Sequence, residues 1–357
     1  MPLASPRLDR WSSIVAHVSS QLDLDASARL HRALLRKRGV ASAEALLHLT
    51  LLYGPGGLSL RATAGFAAEA RIADLGDVSL LGRLRNCGDF LADVLGHLLA
   101  ERRGEQPGEG RSRLQLVDGS TVSVPGSDGS DWRLHARYET ARGCFSDLTL
   151  TDARTAEALD RVAVKPGDVL VQDRGYAKEK NFRHAVANGA DFIVRTGWRS
   201  VRLFHCSGKR FDLIGALSDT GPEVVERAVR IGTGRHATAA RLVIARKPPE
   251  IVARQHVLLK RAANKKGVRT DPRTLRAAGF MMILTSLPGE RADAAAIVAL
   301  YRMRWQIELA FKRIKSLGGF DDLRASDPRL ARTWLLAHLI AVVLIEASLD
   351  EDLDSPP

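Results

Sequence analysis

The hydrophobic period of the chain changes near residue 110, and that change constrains the fold more than any other feature. Up to residue 103, apolar positions recur every three or four residues in 30–35, 43–52, 60–68 and 80–99, which is helical spacing. Breaks fall at Gly54-Pro55-Gly56-Gly57 and around Gly76. Residues 59–72 and 79–99 have the outline of a helix-turn-helix. Residues 1–110, however, hold 13 Lys and Arg against 12 Asp and Glu, and so little charge favours a helical packing domain over a DNA reader. Residues 104–110, GEQPGEG, have linker composition.

Beyond the linker the period falls to two. Residues 114–124, 132–139 and 145–150 read as three antiparallel strands. They are followed by a helix over 155–164 capped by Thr155, a buried strand 169–172 that ends at Asp173, a helix over 178–188 and a strand 192–194. The order β-β-β-α-β-α-β predicts a three-layer α/β arrangement. Residues 196–279 carry the short strand-like runs 201–204, 224–231 and 241–244 among turn residues and basic clusters, and read as a β-rich insertion. A strand at 281–284, one long helix over 291–317 and an apolar helix over 330–349 complete the pattern, with Pro288 stopping the strand. The expected organisation is a helical N-terminal domain (1–110), an α/β catalytic domain (111–195 with 280–349) and a basic insertion (196–279).

Charge narrows the partner. The chain has 53 Lys and Arg against 41 Asp and Glu, a net charge of +12. Residues 195–276 alone hold 19 Lys and Arg against 6 Asp and Glu, a surplus of +13, so essentially the whole excess sits in the insertion. A basic surface of that size calls for a polyanion, and with no amphipathic anchor beside it nucleic acid ranks ahead of a membrane. The longest apolar stretch, 334–345, is broken by His338 and is short for a bilayer span. Cys87, Cys144 and Cys206 lie far apart, so neither a disulfide framework nor a thiolate zinc site is supported, and a reducing cytoplasmic setting is expected.

Three groups of residues have the chemistry of a site. Asp118, in LQLVDGSTV, stands in a strand-like run, where a carboxylate can hold a metal ion while Gly119 lets a ligand approach; Asp-Gly is equally the commonest hairpin signal. Asp173, in VLVQDRGYA, falls at the carboxyl end of an apolar strand, where open α/β sheets bind ligands, or else it caps a helix or pairs with Arg174. In YRMRWQIELAFKRIK, helical rotation places Tyr301, Arg304, Glu308 and Lys315 on one arc about 60° wide. Such a stripe sets a carboxylate between cations and a phenol at a cleft rim, although ordinary i,i+4 ion pairs produce the same pattern. Three carboxylates on separate elements are what two-metal phosphoryl transfer requires. Asp147 and Asp152 are reserve ligands should Asp118 fail.

Taken together, DGST at Asp118, DRGY at Asp173 and Y-x2-R-x3-E-x6-K at Tyr301, Arg304, Glu308 and Lys315 resemble the DDE transposases of bacterial insertion sequences, specifically insertion-sequence family four. The resemblance spans residues 114–345. It implies a ribonuclease-H-like catalytic domain interrupted by a β-rich insertion, with Asp118, Asp173 and Glu308 as ligands of two Mg2+ ions, for which Mn2+ can substitute. It also implies that Tyr301, Arg304 and Lys315 contact DNA ends, that cut-and-paste transfer passes through a hairpin, and that a homodimer holds two ends. The expected partners are double-stranded terminal repeats and target DNA, with Lys260, Arg261, Lys265 and Lys266 among the phosphate contacts, in a nucleoid-associated protein. Where relatives often have a Trp at the start of the strand before the glutamate helix this chain has Phe280-Met281-Met282, so that either Trp198, Trp305 or Phe280 stacks on an unpaired base or the stacking is weaker. A metal-dependent nuclease with the same carboxylates, or a catalytically silent DNA-binding derivative, are the alternatives.

Overall fold

The computed structural model describes residues 7–104, 113–155, 158–316 and 318–354, so the expected linker lies outside the described residues apart from Gly104. Six helices open the chain: α1 (Arg7–Ser19), α2 (Leu24–Leu30), α3 (Ala43–Tyr53), α4 (Leu60–Glu69), α5 (Asp77–Arg85) and α6 (Gly88–Gly104). Short polar side chains start three of them. Asp23, Ser42 and Ser59 accept from the N–H groups of Ala26 (2.9 Å), Ala45 (3.1 Å) and Ala62 (3.1 Å), satisfying donors that have no partner within the helix.

The strands β1 (Arg113–Val122), β2 (Trp132–Glu139) and β3 (Cys144–Asp152) form the expected antiparallel meander. β4 (Asp168–Gln172) then lies parallel to β1, and the crossover helix α7 (Glu179–Ala187) leads to β5 (Asp191–Thr196), parallel to β4. The following segment supplies β6 (Leu203–Phe204), β7 (Val224–Ile231) and β8 (Thr238–Arg246), then α8 (Pro249–Lys265) and α9 (Pro272–Ala278). β9 (Phe280–Thr285) joins β8 to β5, and one sheet runs β3-β2-β1-β4-β5-β9-β8-β7-β6 through the described residues. The chain closes with α10 (Ala294–Arg302), α11 (Trp305–Ser316) and α12 (Pro328–Asp354).

Strand alternation divides the sheet into two buried faces. Leu116, Val169, Val171, Ile193 and Ile283 face a core shared with α10, α11, α12 and the N-terminal helices. Val117, Leu170, Phe192, Val194 and Leu284 face a second core that includes Phe182 of α7 and Ala277 of α9. α12 is the hub of the first core, packing on α3, α5, α6 and β3. Its Pro328–Ser348 portion is, by length and composition, apolar enough to cross a membrane, which the shorter run 334–345 did not suggest, yet 67% of that stretch is buried against the protein.

Several elements differ from the sequence reading. The expected helix over 155–164 is absent among the described residues there: Asp152 accepts from the Thr155 N–H (2.9 Å) and hydroxyl (3.1 Å), turning the chain, and a single 3-10 turn, Leu159–Arg161, precedes Lys165-Pro166. In the segment expected to be β-rich, α8 and α9 account for more residues than its strands, and the clusters at Lys260-Arg261 and Lys265-Lys266 lie on or just after α8 instead of in turns. α8 buries none of its residues, and its basic clusters read as turns between short strands. The expected long helix over 291–317 is two helices. Met303 and Arg304 donate back only three residues, to Leu300 and Tyr301 (both 3.1 Å), tightening the backbone and breaking the α-helical ladder; residue 317 lies outside the described residues.

Candidate active site

Register places the first two carboxylates. β1 and β4 run parallel, and the last paired positions are Val117 and Gln172, so Asp118 and Asp173 are the next residues of neighbouring strands at the same end of the sheet. The strand continues through Asp118-Gly119, which pair with Ala136 and His135 of β2, so Asp-Gly is not a hairpin here. Asp118 accepts its own neighbour's Gly119 N–H at 2.8 Å, and Asp173 accepts from the Gly175 N–H at 2.7 Å while starting the 3-10 turn Arg174–Tyr176. Each aspartate keeps a carboxylate oxygen outside those bonds.

The break between α10 and α11 places the third. Because the ladder is interrupted at Arg304, its guanidinium turns toward the sheet and bonds Asp118 Oδ2 (3.1 Å) with one nitrogen and Glu308 Oε1 with the other. Arg304 and Asp118 side chains are 18% and 16% exposed, whereas Glu308 is 55% exposed, so the bridge runs from the sheet to the rim of a cleft. Burial works against the Arg304 charge, but the bond to Glu308 and the nearby negative charges outweigh it and hold its pKa above the ordinary arginine value. Tyr301 is buried on α10. Burial raises its phenol pKa, while Arg304 and Arg195 beside it pull the other way.

The cleft itself, about 640 Å³, is lined by Asp118, Gly119, Ser120, Glu308, Lys312 and Lys315, together with Asp321 and Asp322 from the turn after α11. Lys315 donates to the Thr121 carbonyl (2.9 Å) and pairs with Asp321 (3.0 Å), tying α11 to β1. Asp173 is not among the residues lining this cleft, and among the described residues no group of three His, Cys, Asp or Glu stands close enough to hold a metal ion as placed. Asp118 and Glu308 nevertheless already share one cation, the Arg304 guanidinium, and carboxylate oxygens of this kind are the donors a divalent ion takes.

The other candidates are placed elsewhere. Asp147 accepts from the Ala163 N–H (3.2 Å) and Asp152 holds the Thr155 turn, so both reserve carboxylates serve the backbone. Lys260, Arg261, Lys265 and Lys266 are exposed on and just after α8 and are not among the residues lining the cleft. The Trp198 ring carries the guanidiniums of Arg199 and Arg273 over it at 4.2 and 4.9 Å, while Trp305, beside Arg304, is 53% exposed. Sequence reasoning missed Arg195, the partner of Tyr301, because a single arginine in an apolar strand has no spacing signature; it missed Asp321, which pairs with Lys315, because an acid in a Gly-rich turn reads as solvated.

Comparison with known proteins gives the family. The transposase DDE domain family matches residues 109–344. The chain is 41% identical over 357 residues to a putative transposase InsL for insertion sequence element IS186A of Escherichia coli strain K12, covering 98% of this chain and 96% of that protein. It is 41% identical over 358 residues, with the same coverage, to the transposase for insertion sequence element IS421 of Escherichia coli. A piggyBac transposase in a synaptic complex with hairpin DNA superimposes with a TM-score of 0.44 at 8% identity, over 97% of this chain and 73% of that one. With the DDE domain matched over residues 109–344 and 41% identity to insertion-sequence transposases over 98% of its length, the chain belongs to the family of DDE transposases.

Proposed function

We propose that this DDE transposase cuts double-stranded DNA at the ends of an insertion sequence and joins the freed 3′ hydroxyl to target DNA, with Asp118, Asp173 and Glu308 as its metal ligands. The observation that carries the reading is the register of β1 and β4, which puts two acidic residues side by side at one sheet end, with Arg304 joining the first of them to Glu308. The strand order β3-β2-β1-β4-β5 with cores on both faces supports a three-layer, ribonuclease-H-like arrangement of the catalytic part.

Family membership implies a divalent metal cation. The all-oxygen donor set favours two Mg2+ ions, which when bound would stabilise the attacking and leaving oxygens of an in-line displacement. The chain's own residues do the rest. Arg304 offers a planar fork that can leave its carboxylates for a phosphate, Lys315 offers a point charge at the cleft wall, and buried Tyr301 offers a phenol held against two guanidiniums. Contacts of this kind set the scissile phosphate in line for attack and contribute to rate more than to affinity. The exposed cations Lys260, Arg261, Lys265 and Lys266 supply sequence-independent attraction along the duplex. Cut-and-paste transfer through a hairpin, by a homodimer holding two ends, completes the reading.

The test is an excision assay on a plasmid in which a marker is flanked by the terminal sequences of the element that carries this gene. The expected products are a linear excised fragment and, on a denaturing gel, hairpin ends. Random nicking of the whole plasmid, with no fragment of defined length, would point to a nuclease instead.

A further inference from the structure

Beyond the carboxylate cleft, a second cavity of about 580 Å³ opens where β4, β5 and β8 end, walled by Arg174, Arg195, Lys247, Thr196, Ser200 and Phe280 among others, with no Asp or Glu in its lining. We propose that this pocket is an anion site that receives a backbone phosphate of bound DNA beside Asp173. The proposal rests on the DNA-transposase reading and adds a site to it.

Three cations gathered without a carboxylate cost free energy that a folded protein recovers when an anion binds. Arg199, which also lines the pocket, is matched, since it and Arg273 both pair with Asp271 (2.6 and 3.0 Å). Arg174, Arg195 and Lys247 form no ion pair with a carboxylate among the described residues. Among the described residues the Lys247 ammonium is held by neutral acceptors, Gln255 Oε1 (2.7 Å) and the Ala278 carbonyl (2.8 Å), which position it without cancelling its charge. Burial pushes its pKa down to about 8, and the charges of Arg195 and Arg174 push the same way, so the three cations act on one another.

Location decides the ligand. Arg174 directly follows Asp173, and Arg195 is the neighbour of Tyr301, which in turn abuts Arg304. The pocket is therefore joined to the carboxylates by a run of cations, Arg195 then Arg304, on either side of one buried phenol. A Cβ built at Gly197 would lie 3.2 Å from Arg174 Cδ, so the absence of a side chain there lets the Arg174 stem lie against the β5 end. A phosphodiester strand leaving the scissile position finds its next matched charge in this pocket. Trp198 also lines it, but the two guanidiniums over its ring make that face a support for arginine, which is why a phosphate and not a base is assigned.

The experiment uses the full chain, a duplex carrying the element's terminal sequence, and the variants Lys247→Gln and Lys247→Arg. Anisotropy titrations at several salt concentrations are expected to show the slope of log affinity against log salt falling by about 0.9 for Lys247→Gln and unchanged for Lys247→Arg. In parallel, acetylation of the wild-type protein by an amine-reactive ester, read by mass spectrometry, is expected to show Lys247 protected by the duplex; this arm needs no variant to fold. An unchanged slope in Lys247→Gln, or equal acetylation of Lys247 with and without DNA, would overturn the proposal. So would protection by inorganic phosphate alone as strong as that by DNA, which would assign the pocket to a free anion. Failure of the underlying reading would look different: wild-type protein would bind no duplex at any salt concentration.

Discussion

Replacing Arg304 by Gln separates two properties that the site couples. In the protein without metal, the guanidinium neutralises Asp118 and Glu308 together, and its side chain is only 18% exposed. A divalent ion that takes both carboxylates has to displace the arginine from at least Asp118. A hydrogen bond to a charged group contributes about 1.5–3 kcal/mol net, so removing the competitor is expected to tighten metal affinity by roughly ten- to hundredfold. The same variant loses the fork offered to a phosphate, and cleavage is expected to fall. Calorimetric titration with Mg2+ or Mn2+ reads the first effect without DNA, and end cleavage reads the second. Weaker metal binding in Arg304→Gln would refute the reasoning, because it would make the guanidinium a support for the carboxylates and not their competing cation.

Three further outcomes follow from packing and charge. Asp168, fully buried at the start of β4, accepts from Arg113 Nε (3.0 Å), from an Arg137 guanidinium nitrogen (3.0 Å) and from the Lys165 N–H (2.9 Å); Asp168→Ala removes the carboxylate that two buried guanidiniums share and is expected to cost about 3–5 kcal/mol in urea unfolding, whereas a loss under 1 kcal/mol would mean the pair relaxes to solvent. His338, buried beneath Trp334 and donating to its carbonyl (2.8 Å), has its pKa pushed down to about 4 by burial, so the unfolded chain binds the extra proton between its ordinary value near ~6.5 and 4, and stability falls as pH drops through that window. Its share at pH 5 is about 2 kcal/mol, and His338→Phe is expected to narrow the stability difference between pH 7 and pH 5 by that amount; an unchanged difference would place the titration elsewhere. Changing Lys260, Arg261, Lys265 and Lys266 together to Gln is expected to flatten the salt slope of DNA binding by up to about 3.6, and no change would mean that α8 faces solvent or another subunit.

The legible parts of the fold are those whose signal is local. Alternation gave β1 to β3, an apolar run ending at Asp173 gave β4, and the helix expected over 178–188 is α7. What escaped depends on partners distant in sequence. α8 packs no residue into a core, so its fold context is absent from its own residues, and β7 and β8 give no hint in theirs that they extend the main sheet through β9. The break at Met303-Arg304 has no Gly or Pro to mark it. It coincides with the attraction of Arg304 to Asp118, 186 residues away, which no helical wheel represents. The stripe of Tyr301, Arg304, Glu308 and Lys315 is therefore split: Arg304, Glu308 and Lys315 meet beside β1, while Tyr301 lies on the other helix, against Arg304 and Arg195. Arg195 and Lys247 were unreadable for the same reason, since a cation acquires meaning only from what stands opposite it.

The central claim is that Asp118, Asp173 and Glu308 act together on DNA. It is tested most directly by Asp118→Asn, Asp173→Asn and Glu308→Gln, each assayed for cleavage of a terminal-repeat duplex with Mg2+ and for binding of the same duplex without it. The account predicts that every one of the three loses cleavage while binding stays near the wild-type level, because ligands of this kind serve the transition state more than docking. Near-normal cleavage by any one of them would contradict the shared site and return that carboxylate to its neighbours: Gly119 for Asp118, the Arg174–Tyr176 turn for Asp173, and Arg304 for Glu308.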